Sequence, residues 1–468
     1  MATPLSTAST TPHSTAESPS TLVFRRGRWI DGWNAEDPRQ WESEGRAIAQ
    51  RNLRWSIFAE FLGFVVWQLW SIVVVMLPAA GFDITSTQQF WLISVASLVG
   101  ATLRFPYTFM VARFGGRNWT IISAGLLLIP AIGLGVVVQN PDTPYAVLVV
   151  VAALGGLGGG NFASSMANIT FFFPQREKGY ALGLNAAGGN LGAAVAQLLV
   201  PIVVTLGAAG TLNLHLAGFI WVPFILLAMW GAWKFMDNLS TARSDVAGAA
   251  AALREPHLWI MALLYIGTFG SFIGFAGVFP KLIADQFPEF STFSIGAASM
   301  TLAFLGALVG SLARPYGGRL ADRVGGARMT VVSFAVMIAA TLALVLTLPL
   351  ANFWVFLGCF LVLFCATGIG NGATYRMIPS IFAARGAAKA GEDNAVSTQR
   401  QGAAALGIIS ALGAYGGFVI PQVLNASQQA TSTYDAAFWG FIAFYVVLAV
   451  LTAVVYMIPR RSLAGRIV

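Results

Sequence analysis

The chain has 468 residues, of which 57% are apolar and only 10% charged, against about 25% charged in an ordinary soluble protein. A mean hydropathy of +0.72 excludes a soluble globular domain, and recurrent apolar runs of about 20 residues read as transmembrane helices. The short alternating segments of an outer-membrane barrel are missing. The formal charge of +8 is what positive-inside loops supply in a membrane protein, so nucleic acid is not expected as a partner. His13, His215 and His257 are scattered, and Cys359 and Cys365 stand more than a helical turn apart in one apolar run. No disulfide, metal or cofactor is expected from that pattern.

In chain order, residues 1–24 are rich in Ser, Thr and Pro and read as a disordered start to a cytoplasmic tail reaching residue 50. The tail lacks the apolar core of a signal peptide. Twelve spans follow at about 52–77, 88–112, 118–138, 144–172, 179–206, 214–234, 257–280, 293–317, 328–350, 353–382, 401–421 and 436–458. The longest internal polar break divides them into two six-helix bundles, 51–235 and 257–459, joined by a cytoplasmic linker, 236–256, with a short cytoplasmic tail at 460–468. The expected architecture is therefore an all-α integral membrane protein of two pseudo-symmetric bundles. All but four of the 27 Lys and Arg fall on one side of this arrangement, the exceptions being Lys281, Arg104, Arg314 and Arg376. That bias puts both termini in the cytoplasm.

The two halves repeat at an offset of 210 residues. Arg104, Arg113 and Gly115-Gly116 meet Arg314, Arg323 and Gly325-Gly326, while Gly158, Gly160, Asn161 and Ala163 meet Gly368, Gly370, Asn371 and Ala373. Bundles related by a pseudo-two-fold along the membrane normal place a substrate at their interface, near the midplane.

Ionisable residues within spans are costly and mark function. Arg104 and Arg314 occupy repeat-equivalent positions, so the pseudo-two-fold aims both at one point. Two fixed guanidiniums facing one cavity make an anion site, and their planar forks suit a small planar oxyanion. Of 19 Asp and Glu only Glu60 lies within a span, where it is a proton carrier, a partner for an arginine, or a shallow residue near the cytoplasmic end. Arg376 has Met166 as its repeat mate and breaks the symmetry; it reaches either the cytoplasmic interface or Glu60. Asn185 and Asn190 are amides in an apolar span and need partners.

Gly318-Arg319-Leu320-Ala321-Asp322-Arg323-Val324-Gly325-Gly326 resembles the cytoplasmic loop motif of the major facilitator superfamily, with a degraded copy at Arg113–Arg117. Gly179-x-x-x-Gly183-x-Asn185-x-x-x-Gly189-Asn190 resembles the first signature of the nitrate/nitrite porter (NarK-like) family, and the run Gly402–Gly407 with Gly413–Gly417 resembles the second. Ala163–Pro174 and Arg104–Tyr107 are similar to that family as well. The resemblance spans about residues 50–460. It implies that Arg104 and Arg314 clamp nitrate or nitrite, with pocket roles for Phe64, Phe162, Asn190, Tyr265 and Phe269. Family exchangers lack a protonatable group in the pore; Glu60 and Arg376 look more like the proton-coupled branch.

The expected function is nitrate and nitrite transport by alternating access in a bacterial cytoplasmic membrane, with nitrate uptake for assimilation coupled to protons and the protein acting as a monomer. Electroneutral nitrate/nitrite exchange is the alternative, and a carrier of larger organic or phosphate anions is another. A membrane enzyme would need clustered His, Cys or carboxylate groups, which the spans lack, and a sensor would need a soluble output domain.

Overall fold

In a computed structural model of the chain, residues 22–206, 212–242, 246–388 and 405–458 are described. The start of the tail, its counterpart at 460–468 and the first glycine of the second signature, Gly402, lie outside them. Six helices make the first half: α1 Arg46–Val73, α2 Ser86–Phe114, α3 Gly116–Val137, α4 Tyr145–Phe172, α5 Gln175–Thr205 and α6 Leu216–Phe235. The second half holds α7 Pro256–Gln286, α8 Phe304–Val324, α9 Gly326–Leu350, α10 Phe353–Phe382, α11 Ala405–Thr431 and α12 Asp435–Met457. Eleven of these are long and apolar enough to cross a membrane. The twelfth, α8, is a helix of 21 residues whose Arg314, Arg319, Asp322 and Arg323 dilute its apolar character.

The expected eighth span needs correction at its start. Residues 293–300 form a hairpin, strand Phe293–Ile295 against strand Ala298–Met300, and the helix begins only at Phe304. Gly296, at φ +58, turns the chain, and Ser294, Gly296 and Ser299 fit a helix poorly. Several other spans are interrupted for local reasons. Pro130 cannot donate to the carbonyl one turn back, and α3 breaks at Leu127.

The internal repeat extends to the backbone. Gly115 and Gly325, mates at the 210 offset, end α2 and α8 at φ +86 and +102. A side chain is strained there, and each glycine lets the next helix start at once, at Gly116 and Gly326.

The segment from residue 22 to α1 is folded against the first half. Strand Val23–Arg25 pairs antiparallel with Trp29–Asp31, which lies parallel to Asn238–Leu239 just after α6. Buried Asp237 binds Arg28 and Arg51, each at 2.7 Å, and accepts from Asn52 at 2.9 Å. Trp33 donates to the Phe171 carbonyl and Trp41 to Glu177. This strap therefore holds the ends of α1, α4, α5 and α6 together within the first half.

The end of the molecule where α1 begins and α12 finishes is called proximal here, and the other end distal. Among the described residues, side-chain hydrogen bonds between the halves lie from the middle of the bundle to the distal end. Gln422 donates to Ser94 (2.7 Å), Ser86 to Gln428 (2.8 Å), Gln197 to the Ala276 carbonyl (2.7 Å), and the Ser299 amide to Thr205 (2.7 Å). Lys281, 2% exposed, donates across the interface to Gln89 (2.7 Å), pairs with Asp285 (2.9 Å) and lies 5.0 Å from the Phe90 ring centre. Tyr434 donates to the other face of the latch, at Asp285 (2.5 Å). The structure is thus held shut at its distal end.

Candidate functional site

Midway along α2, Arg104 is fully buried, and Arg314 on α8 is 4% exposed. Arg104 Nε donates to the Gly159 carbonyl (3.0 Å), and Nη1 donates to the Ser410 carbonyl (2.9 Å) and hydroxyl (3.0 Å). These bonds fix the plane of the guanidinium between α4 and α11. The approach to Gly159 needs a glycine, because a Cβ there would meet Trp67 at 2.7 Å and the Gly100 Cα at 2.9 Å. Trp67 is itself held by donating to the Ala96 carbonyl at 2.9 Å. Arg314 Nη2 donates to the Tyr265 hydroxyl at a long 3.4 Å, which leaves that hydroxyl's proton free to donate onward.

Both guanidiniums lie over the same two rings. Arg104 Cζ is 4.5 Å from the Phe162 ring centre and 5.1 Å from that of Phe269; for Arg314 the distances are 5.7 and 6.0 Å. Phe162 and Phe269 stack at 6.1 Å, Tyr265 stacks on Phe269 at 5.3 Å, and Phe64 meets Phe162 edge-on at 6.2 Å. Trp67 and Tyr375 complete the lining, each 5.4 Å from one guanidinium carbon. Such cation–π contacts contribute about 0.5–1 kcal/mol at exposed sites and about 2 kcal/mol or more when desolvated. They stabilise the cations without consuming their N–H groups.

One N–H group on each arginine has no partner: Nη2 of Arg104 and Nη1 of Arg314. Both amide atoms of Asn190 on α5 are also buried and unpartnered. Among the described residues neither arginine has a carboxylate at ion-pair distance. Buried cations without a counter-ion are unfavourable, so an arriving anion gains both charge and waiting donors.

The residues singled out in the sequence thus separate into two groups. Arg104, Arg314, Phe64, Phe162, Tyr265 and Phe269 are brought together. Glu60 lies one helical turn from Phe64 on α1, buried against α4 and α5 by Ser165 and Asn185. Arg376 goes elsewhere: its side chain is 52% exposed, with Nε donating to Asp322 at 2.5 Å and Nη1 to Ser380 at 2.9 Å. Its neighbour Tyr375 takes the inward face of α10 instead. Asp322 and Arg376 have Ala112 and Met166 as repeat mates, so both members of this ion pair are replaced together in the first half. Trp67, Gly159, Tyr375 and Ser410 carried no sequence signal. Asn161 and Asn371, buried repeat mates with unpartnered amides, did carry one, through the 210-residue offset.

The fold is that of a two-bundle transporter with a pair of buried guanidiniums where the bundles meet. Residues 59–421 match the Major Facilitator Superfamily. The nitrate/nitrite transporter NarU of Escherichia coli strain K12 is 42% identical over 446 residues, 91% of this chain and 95% of that protein. The probable nitrate/nitrite antiporter NarK2 of Thermus thermophilus is 38% identical, again over 91% of this chain and 95% of its own length. A crystal structure of a D-xylose-proton symporter shares the fold at a TM-score of 0.66 and 15% identity, covering 90% of this chain and all of the other. The chain belongs to the Major Facilitator Superfamily and, within it, to the nitrate/nitrite porter family.

Proposed function

We propose that this protein carries nitrate and nitrite across a bacterial cytoplasmic membrane by alternating access, with nitrate uptake driven by protons through Glu60. The observation that carries the reading is the pair of buried guanidiniums over shared phenyl rings, each with an N–H group left over. A planar three-oxygen anion accepts in-plane donors from two sides while its faces pack on aromatic rings. The proximal end faces the cytoplasm, following the bias of Lys and Arg. The distal bonds between halves then close the extracellular side, and rocking of one bundle against the other breaks them. One chain contains both arginines, so the proposed site is complete within a monomer.

Bringing an anion in against an inside-negative potential is uphill by about 2.3 kcal/mol per charge for each 100 mV. Two protons per anion make import electrically favourable. The anion test is competition: purified protein in vesicles takes up nitrate, and nitrite competes at comparable concentration while phosphate and citrate do not. Competition by phosphate or citrate equal to that by nitrite refutes the small-anion site.

A further inference from the structure

Among the described residues two carboxylates are buried, Glu60 in the first half and Asp237 just after it, and their surroundings differ in kind. Asp237 takes two guanidiniums and an amide. Glu60, 1% exposed, has no Lys or Arg at ion-pair distance among the described residues. Its Oε2 accepts from the Ser165 hydroxyl and from Asn185 Nδ2 (2.5 Å), and the same Nδ2 lies 2.5 Å from Ser165 Oγ. Ser56, one turn nearer the proximal end on α1, hydrogen-bonds Ser165 at 3.0 Å. Two buried oxygens in this cluster have no partner, Glu60 Oε1 and Asn185 Oδ1. With Glu60 ionised, both are acceptors and nothing remains to donate to either. One added proton on Oε1 converts that acceptor to a donor and leaves one unmet acceptor where there were two.

We propose that Ser165 and Asn185 are the positioning residues of a proton-binding carboxyl at Glu60: they occupy Oε2 as donors and so direct the proton to Oε1. This inference rests on the proton-coupled reading above. The helices fit the role. A Cβ at Gly189 would overlap Glu60 Oε1, so α5 closes directly over the carboxyl. Ser165 is on α4 and Asn185 on α5, so the proton site travels with the first bundle, whereas the arginine pair is divided between the two. The charged and titratable groups acting on Glu60 across space are Arg314, Arg104 and Tyr375. The α4 and α5 faces against it offer only neutral Ser165, Met166, Asn185 and Gly189. On α6, which also packs along α1, Lys234 lies over Trp230 and Phe235 at 5.0 and 5.5 Å. An anion between the guanidiniums screens their field at Glu60, so anion and proton promote each other's binding, and the effect is reciprocal. Ser56 extends the hydroxyl chain by one turn toward the proximal end.

The test compares wild type, Glu60→Gln, Ser165→Ala, Asn185→Ala and the hydroxyl-retaining Ser165→Thr. Proton uptake on nitrate addition is read with a pH indicator in weakly buffered detergent solution, and accumulation under an acid-outside gradient is compared with nitrate self-exchange in the same vesicles. Loss of one hydrogen bond to a charged group is worth roughly tenfold. Ser165→Ala and Asn185→Ala should therefore lower gradient-driven accumulation about tenfold relative to exchange, displace its pH profile and take up fewer protons from solution per nitrate bound, with Ser165→Thr restoring all three. The detergent measurement needs no transport cycle and remains readable in a variant that fails in vesicles. If Glu60→Gln abolishes proton uptake while Ser165→Ala and Asn185→Ala keep the wild-type profile, the positioning role is wrong and proton coupling stands. If wild type binds nitrate with no proton uptake and no gradient drive, the proton-coupled reading falls and takes this inference with it.

Discussion

Replacing Arg104 by lysine keeps the charge and removes the fork. In the structure this guanidinium spends Nε on Gly159 and Nη1 on Ser410 and holds Nη2 in reserve. One ammonium nitrogen cannot reach the Gly159 carbonyl, the Ser410 carbonyl and an anion from a single point, and its stem is shorter. The variant therefore leaves at least one buried carbonyl unpaired or loses the donor to the anion. A hydrogen bond to a charged group contributes about 1.5–3 kcal/mol, so nitrate affinity should fall on the order of 10- to 100-fold. Ser410→Ala separates anchoring from clamping: it deletes the hydroxyl contact at 3.0 Å and keeps the carbonyl contact at 2.9 Å, and should weaken binding by a smaller factor. Affinity is read by calorimetric titration of purified protein, with thermal unfolding as the check on folding. A folded Arg104→Lys protein with wild-type affinity refutes the paired-guanidinium site.

Asn190→Ala should weaken nitrate transport while leaving folded protein in the membrane, since a buried amide with no protein partner is lost and a small residue remains for helix packing; normal transport makes Asn190 a packing residue. Arg376→Gln should leave nitrate affinity within about twofold, because a half-exposed pair with Asp322 is worth less than ~1 kcal/mol; a loss matching that of Arg104→Lys contradicts its placement. Lys281→Met removes the bond to Gln89 and strands Asp285 with Tyr434. In a background lacking Cys359 and Cys365, a cysteine replacing Ser94 should then react with a thiol reagent roughly tenfold faster, and an unchanged rate refutes the latch.

The parts of this protein that were legible in the sequence are those imposed by the bilayer or by duplication. Apolar length reports the helices directly, and the 210-residue offset pairs Arg104 with Arg314 because both halves must present equivalent faces to one interface. Hydropathy fails where a non-helical segment is also apolar: Phe293 to Met300 reads as part of a span and folds as a hairpin. Helical phase explains Arg376. A residue one position from Tyr375 is rotated by about 100°, and an intramembrane position in a sequence does not say which of the two neighbours faces inward. Trp67, Gly159 and Ser410 meet Arg104 from three other helices. No periodicity within one helix encodes such a meeting. The strap from Val23 to Asp31 was unreadable for a similar reason, since its parallel partner at Asn238–Leu239 lies about 200 residues away.

The most direct test of proton-driven nitrate transport is nitrate flux into proteoliposomes free of nitrite, with and without an imposed acid-outside gradient, for wild type and Glu60→Gln. The account predicts that the gradient drives nitrate accumulation in wild-type vesicles and that Glu60→Gln loses this drive. Uptake that begins only when nitrite is loaded inside, and is the same in Glu60→Gln, contradicts symport and makes the protein a nitrate/nitrite exchanger.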